Sequence, residues 1–144
     1  TNKDDGRIVF ETRTSGSSIT PALTLHSSQN ATFAGTVEDS KGPVRRIVQA
    51  YKSSAHTLVV GDAGKCIQIT TGGVTVNNNI FTEGDAVTIV NHSGSDQTIT
   101  QGSSFTLYNS ADASTGNRTL AARGMATIWF AAENQGYISG AGLS

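Results

Sequence analysis

The amino-acid sequence predicts an all-β protein, in which a short intertwined β stalk precedes a β-sandwich head with a jelly-roll-like arrangement. Gly, Ser, Thr and Asn supply 60 of the 144 residues, and charged residues make up only 15%. Ser, Thr and Asn compete for backbone hydrogen bonds, and Gly costs roughly 1 kcal/mol per interior helical position, whereas Thr and Val suit a pleated surface. Short apolar runs recur between turn residues, which is the pattern of many short strands.

The first part of the chain is predicted to be a stalk. It contains three short strand-like runs, Arg7–Thr12, Ala22–His26 and Ala31–Val37. None is long enough to form a core alone, so we infer that further copies of the same chain cover them, as a trimer would. The polar stretch 38–43 contains turn residues and is the predicted linker. Residues 1–43 are therefore assigned to the stalk and linker, and residues 44–144 to the head.

The head is predicted to contain nine short strands, which suggests a sandwich. These are His56–Val60, Lys65–Thr70, Val74–Val76, Ala86–Asn91, Gln97–Thr100, Phe105–Tyr108, Arg118–Ala121, Ala126–Ala132 and Gly136–Ser139. Residues 44–55 fit either a helical turn or an extended segment, and we treat them as an extended connector. Glycines in 61–64, 71–73 and 93–96 favour hairpin connections there.

Charge and cysteine content exclude several classes of function. The net charge is −1 and the basic residues are scattered apart from Arg45 and Arg46, so nucleic acid is not expected as a partner. No apolar run approaches the roughly 20 residues of a membrane helix, and the polar start Thr1–Asp5 lacks the regions of a signal peptide. The single cysteine, Cys66, cannot form an internal disulfide and is expected to face the core of a strand.

An enzyme is not predicted, because no catalytic pattern stands out. Glycoside hydrolysis needs two carboxylates roughly 5 to 9.5 Å apart. The head offers Asp62, Glu83, Asp85, Asp96, Asp112 and Glu133, and most of these adjoin Gly or Ser in predicted turns. The histidines His26, His56 and His92 show no metal-ligand spacing, so we predict no metal and no cofactor. A metal held between chains by His26 is left as an open alternative.

Several short motifs, taken together, are typical of one family. They are Leu25–Val37 in the stalk half, and Asp62–Lys65, Gly73–Val76, Gly84–Ile89, Gly116–Leu120 and Ile138–Leu143 in the head half. With these motifs the whole chain resembles the C-terminal, distal region of bacteriophage tail fibres, in particular those of cyanophages and other marine phages. The resemblance implies a homotrimeric virion appendage whose tip contacts the host surface, commonly lipopolysaccharide or another glycan. It carries over no binding residues.

A glycan-binding tip needs planar aromatic faces for sugar rings, and amides or charged groups for their hydroxyls. Such groups gather in predicted turns, and our candidate ligand-binding residues are His92, Asp96, Tyr108, Asn109, Asn117 and Arg118. For each of these residues, a structural role in its turn is as well supported as ligand binding. Trp129 is predicted to lie on the face opposite to Ile128 and Phe130, as a subunit contact or as an exposed stacking platform, and the favoured alternative is that it simply packs within the trimer or the head. The alternatives to receptor binding are a purely structural fibre or capsid-surface protein, and a polysaccharide depolymerase.

Overall fold

The computed structural model describes residues 6–13, 15–16, 18–28, 30–39, 42–44 and 46–144. The polar start Thr1–Asp5, part of the predicted linker (residues 40 and 41) and Arg45 lie outside the described residues. Over the described ranges the chain forms β-strands and turns with one short 3-10 turn, Val60–Asp62, and no α-helix. The described ranges hold no helix of the length and apolarity that crossing a membrane requires. The all-β class is confirmed.

The chain consists of two compact units, Thr1–Arg45 and Arg46–Ser144. The first contains an antiparallel meander of β1 (Ile8–Arg13), β2 (Ile19–Leu25) and β3 (Ala31–Phe33). A β-bulge interrupts the β1–β2 pairing after Phe10. The strands therefore follow the three predicted runs, with the third ending earlier than expected. Their role as a stalk stays a prediction.

The meander has one apolar face without a core beneath it. Cross-strand pairing aligns Phe10 with Leu23 and Leu23 with Phe33, and in the next row it aligns Ile8 with Leu25. Since side chains alternate between the faces of a strand, these five residues share one face, which we call the apolar face of the first unit. Ile8 and Phe10 are 58% and 55% exposed, and none of the described side chains of this unit is buried.

The predicted linker contains a small hairpin. Strands β4 (Glu38–Asp39) and β5 (Gly42–Pro43) pair antiparallel. The Asp39 Oδ1 atom accepts a hydrogen bond of 3.1 Å from the Gly42 backbone N–H, across the turn. The two described ends of the polar stretch are thus held side by side, and the Asp39 side chain that bonds back to the chain stabilises this arrangement.

The second unit is one mixed sheet that nearly closes into a barrel. Its strands are β6 (Gln49–Lys52), β7 (His56–Thr57), β8 (Cys66–Ile69), β9 (Val74–Val76), β10 (Ala86–Asn91), β11 (Gln97–Gln101), β12 (Thr106–Asn109), β13 (Arg118–Ala132) and β14 (Gln135–Leu143). The order is β6-β8-β10-β13-β11-β9-β7, and β14 pairs with both β12 and β13. Within the predicted connector 44–55, Gln49–Lys52 forms the edge strand β6, so this part is extended as predicted.

The chain builds this sheet by winding between two parallel stacks. Strands β6, β8 and β10 are parallel neighbours in one stack, and β7, β9 and β11 in the other. The predicted hairpins at 61–64, 71–73 and 93–96 are wrong, because each segment carries the chain from one stack to the other and joins strands that do not pair. Gly73 turns such a corner at φ +69°, where an added Cβ would collide with the Thr98 carbonyl oxygen.

Strand β13 connects the two stacks. Its start, Arg118–Leu120, pairs antiparallel with β11, and Met125–Trp129 pairs antiparallel with β10. Between these stretches the pairing with β14 shifts register, and Arg123 adopts φ +63°. A bulge of this kind bends a strand, which lets β13 pass from one stack to the other. The predicted sandwich of two facing sheets is therefore replaced by a single sheet that curls around one core.

The core fills the inside of the curled sheet. Its large members are Leu58, Ile67, Ile69, Phe81, Ile89, Ile99, Phe105, Leu107, Leu120, Ile128, Phe130 and Ile138. Phe130 stacks on Phe81 with ring centroids 4.2 Å apart and lies 5.8 Å from Phe105. Burial of this many apolar side chains supplies a core for the second unit by itself, in contrast to the first unit.

Candidate ligand-binding face

Three aromatic side chains lie side by side on the outer face of the second unit, the face of the sheet turned away from the core. Tyr137 pairs with Tyr108 on one neighbouring strand and with Trp129 on the other. The ring centroids of Tyr108 and Tyr137 are 5.3 Å apart with planes 20° apart, and those of Trp129 and Tyr137 are 6.2 Å apart at 35°. Trp129 is 48% exposed and Tyr137 38%. We call these three residues the aromatic row.

Side chains alternate between the two faces of β13, and Trp129 lies on the outer face above closely packed strands. Ile128 and Phe130 are fully buried, so the predicted division of β13 into two faces is confirmed. Next to Tyr137, Gly136 lets β14 approach the core closely, because a Cβ there would lie 2.9 Å from the Phe105 ring. The aromatic row therefore stands on tightly packed strands, which hold its rings in place without a ligand.

A row of hydroxyl groups runs beside the aromatic row. Thr127 lies two residues before Trp129 on β13, and it pairs with Ser139 on β14 and with Thr88 on β10. The Thr88 and Thr127 Oγ1 atoms are 3.0 Å apart in an exposed hydrogen bond. Two residues along a strand span about 7 Å, which is the spacing between the two rows. We call Ser139, Thr127 and Thr88 the hydroxyl row.

A third row completes the outer face, and none of the three rows carries a charged group. It consists of Met125, Val90, Gln68 and Tyr51, which are aligned by the pairing of β13, β10, β8 and β6. No Asp, Glu, Lys or Arg stands at any of these row positions. Met125 and Tyr51 are exposed, at 53% and 61%. These three rows therefore offer aromatic, hydroxyl, amide and apolar groups, and no ion-pairing partner; Arg123, two residues before Met125 on β13, is exposed beyond them.

Two of the predicted binding residues lie at the corner between β10 and β11. His92 is exposed, and the Asp96 Oδ1 atom accepts a hydrogen bond of 3.1 Å from the Ala122 backbone N–H. Asp96 thereby ties the corner to the bulge of β13. Its carboxylate has a structural role, and ligand binding by either residue stays a prediction.

Four more predicted residues surround the loop between β12 and β13. The Asn109 Oδ1 atom accepts a hydrogen bond from the Ala111 N–H, and the Asn117 Oδ1 atom accepts one from the Gln101 N–H. Arg118 is only 9% exposed and its Nη2 atom donates to the Ser114 carbonyl at 2.6 Å. These three side chains hold the loop, and burial leaves little of Arg118 for a ligand. The fourth, Tyr108, belongs to the aromatic row.

The acidic residues considered for catalysis are mostly engaged in their own turns. The Asp85 Oδ2 atom accepts hydrogen bonds from the Thr82 N–H and hydroxyl. The Asp112 carboxylate accepts hydrogen bonds from the Ser114 hydroxyl and N–H, which hold the pKa of Asp112 below its usual value, with a smaller contribution from the Arg118 charge. Among the described residues, no three His, Cys, Asp or Glu side chains come together as metal ligands would.

A buried His–Asp pair braces the 3-10 turn. The Asp62 Oδ2 atom lies 2.8 Å from His56 Nε2 and accepts a hydrogen bond of 3.0 Å from the Val59 N–H. Asp62 is 4% exposed, so Asp62→Ala would leave the Val59 N–H without its partner. We expect this substitution to lower the free energy of unfolding by about 2 to 3 kcal/mol in denaturant titrations. The exposed turn residue Glu83 is the control, and Glu83→Ala should cost less than about 0.5 kcal/mol. Equal costs would contradict a structural role for the pair.

Cys66 does not face the core, contrary to prediction. In β8 the buried positions are Ile67 and Ile69, so Cys66 lies half-buried on the outer face. Burial raises the pKa of its thiol, which leaves less thiolate at a given pH. We expect iodoacetamide to label the folded chain at pH 8 more slowly than the chain unfolded in guanidinium chloride. Faster labelling of the folded chain would show an activated thiol instead.

Most of the candidate face was not found by sequence reasoning. Alternation in β13 marked Trp129, and Tyr108 was named for its aromatic ring, but Tyr137 and the hydroxyl row were missed. Their sequence separations are large: Thr88 and Thr127 are brought together only by the pairing of β10 with β13. No local pattern in the sequence reports that pairing.

Comparisons of the chain with known protein families, with curated proteins and with solved structures find no match.

Proposed function

We propose that the chain is the distal part of a bacteriophage tail fibre that attaches the virion to a host-cell surface receptor, lipopolysaccharide or another glycan. The observation that carries this proposal is the exposed aromatic row on a tightly packed sheet. Sugar rings bind proteins through planar aromatic side chains that cover their C–H faces, with hydroxyl and amide groups at the rim. The aromatic row and the hydroxyl row place both kinds of group next to each other.

The apolar face of the first unit supports a homotrimer. Ile8, Phe10, Leu23, Leu25 and Phe33 are exposed or half-buried in the isolated chain. A contiguous apolar face that is exposed to water marks an interaction site, and other copies of the chain would cover it. An intertwined trimeric stalk meets that need and places several heads at one fibre tip, where multivalent binding raises the overall affinity.

Light scattering and cell binding test the proposal together. The purified chain should have the mass of a trimer, and the same sample should bind intact cells or extracted surface polysaccharide from a panel of marine bacteria that includes cyanobacteria. A trimer that binds neither would favour a structural fibre protein. A folded monomer would contradict the fibre assignment itself. Release of reducing ends from bound polysaccharide would indicate a depolymerase.

Trp129→Ala is expected to weaken cell binding at least about 30-fold, which corresponds to the 2 kcal/mol typical of a central contact residue. The indole is exposed, so its removal should leave the fold intact, as circular dichroism would verify. Met125→Ala is the matched control, because Met125 is an equally exposed residue on the same strand and face, four positions away. If the two variants bind equally well, the aromatic row is not the binding site.

A structural role is the second candidate function. The three rows of the outer face contain no charged residue and expose Met125 and Tyr51, and protein interfaces are enriched in aromatic residues and Met and depleted of charge at their centre. A fibre or capsid-surface protein could use this face for assembly. Glycan binding by the trimer, as measured above, would separate the two functions.

A further inference from the structure

We propose that the receptor unit held by the aromatic row is an uncharged hexopyranose, which stacks on Trp129 over a shelf formed by Ala86 and Gly64 and directs hydroxyls to the hydroxyl row. This inference rests on the proposed glycan-binding function and names the class of sugar. It is carried by three features of the outer face: the open side of Trp129, the neighbouring hydroxyl pair, and the absence of charged residues from its three rows.

Trp129 has room for a ligand on one side. Tyr137 occupies the neighbouring position on β14, but the position paired with Trp129 on β10 is Ala86. The next backbone across the sheet is that of Gly64, whose N–H donates a hydrogen bond of 2.8 Å to the Ala86 carbonyl. An added Cβ at Gly64 would meet nothing within 4 Å. Neighbouring strands are about 4.8 Å apart, so the two small residues form a shelf about 10 Å wide beside the indole.

The groups around the shelf match the two sides of a sugar ring. A pyranose presents C–H groups on its faces and hydroxyls around its rim, so an aromatic ring and a hydrogen-bonding group side by side satisfy both. The Thr88 Oγ1 atom lies on β10 two residues beyond Ala86, and it already shares a hydrogen bond with Thr127. Each hydroxyl keeps unused acceptor capacity for a sugar hydroxyl.

The lack of cationic groups in the three rows selects against acidic sugars. Carboxylates and phosphates are bound in proteins by Arg, Lys or backbone N–H clusters, and none of the three rows contains Arg or Lys. Two charged residues flank the shelf. Lys65 follows Gly64 and is half-buried, and Asp85 precedes Ala86 and accepts hydrogen bonds from the Thr82 N–H and hydroxyl. A uronic acid or a phosphorylated sugar would therefore lose hydration without gaining an ion pair from any residue of the three rows.

Trp129 is the only tryptophan of the chain, so its fluorescence reports directly on this site. The probes are methyl glucoside and methyl galactoside, each matched with its uronide, which differs only in a carboxylate at C6. We expect at least one neutral glycoside to change the emission saturably in the millimolar range, and its uronide to bind at least tenfold more weakly. Raising NaCl from about 50 to 500 mM should change the affinity for the neutral sugar less than twofold, since no ion pair is involved. Equal or tighter binding of the uronides, or no response to either neutral glycoside, would overturn the proposal.

Two substitutions locate the sugar on the shelf. Ala86→Glu covers the shelf and adds a charge, and we expect it to reduce the fluorescence response to the sugar at least tenfold. Thr88→Val keeps the shape of the side chain but removes its hydroxyl, and we expect it to reduce the affinity for the sugar severalfold. Ala141→Glu is the control, because it places the same charge on the same face beside Met125. Thermal melts show whether each variant folds. If Ala86→Glu does not fold, Thr88→Val still tests the site. Unchanged sugar binding by both folded variants would overturn the proposal.

Failure of this inference and failure of the proposed function give different results. If the native chain binds cells but no neutral glycoside reaches Trp129, the receptor is bound elsewhere and only the hexopyranose site is lost. If the native trimer binds neither cells nor sugars, glycan attachment itself is wrong.

Discussion

Asn91→Asp is expected to lower the free energy of unfolding of the second unit by about 4 kcal/mol, a large part of the stability of a small domain. The Asn91 side chain is fully buried at the corner after β10. Its Nδ2 atom donates to the carbonyl oxygens of Ser95, Leu120 and Ala121 at 2.8, 3.0 and 2.9 Å. An aspartate would place an acceptor oxygen against three carbonyl oxygens, with no hydrogen to share between them.

The Asn91 network ties the β10–β11 corner to the bulge in β13, where the two stacks meet. Its Oδ1 atom also accepts from the Ser93 N–H and hydroxyl, at 3.1 and 2.7 Å, so every polar atom of the amide is used. Guanidinium chloride titrations of the native chain and of Asn91→Asp measure the difference in the free energy of unfolding. Asn134→Asp makes the same chemical change in the exposed turn between β13 and β14 and should cost less than about 0.5 kcal/mol. If both variants are equally stable, the network contributes little.

Phe10→Asp is expected to convert the proposed trimer into monomers. The association constant should fall at least a hundredfold, which corresponds to about 3 kcal/mol of association free energy. Phe10 lies in the middle of the apolar face of the first unit, paired with Leu23. In a trimer that covers this face, each copy would bury one unpaired carboxylate in an apolar interface. Light scattering over a range of protein concentrations measures the fraction of trimer and monomer for each protein.

Thr32→Asp is the control for the interface. Thr32 pairs with Thr24 on the opposite face of the meander, and its hydroxyl is hydrogen-bonded to the His26 imidazole at 3.2 Å. An aspartate there places the same charge beside a histidine, away from the apolar face. We expect Thr32→Asp to remain trimeric. If Phe10→Asp also remains trimeric, this face is not the subunit interface, and the stalk assignment loses its support.

The strands of the chain were largely predictable, because a strand is encoded by its own residues. Val87 and Ile89 alternate with polar or small residues, and they fill the core from β10 as that alternation requires. Trp129 and its buried neighbours followed the same rule. The class of fold needs no more than this, since many short alternating runs without helix formers can only be a sheet.

Order and parallel pairing of the strands were not predictable. The glycine-rich segments at 61–64, 71–73 and 93–96 have the composition of hairpin turns, yet they are corners between two parallel stacks. Turn residues allow the backbone to reverse or to bend, and they do not specify which strand lies alongside. The hairpin predictions were wrong for that reason, because they assumed that successive strands pair with one another.

The candidate binding face was likewise predictable only in part. The sequence by itself determined that the protein is all-β, that the first unit lacks a core of its own, and that Trp129 points away from the core, since these properties follow from composition and from side chains that alternate within one strand. Only the tertiary structure decided that Tyr108 and Tyr137 lie beside Trp129, that Thr88 meets Thr127, and that Ala86 leaves the indole open. The physical reason is that these neighbours are set by cross-strand register, which depends on how the whole sheet closes around its core.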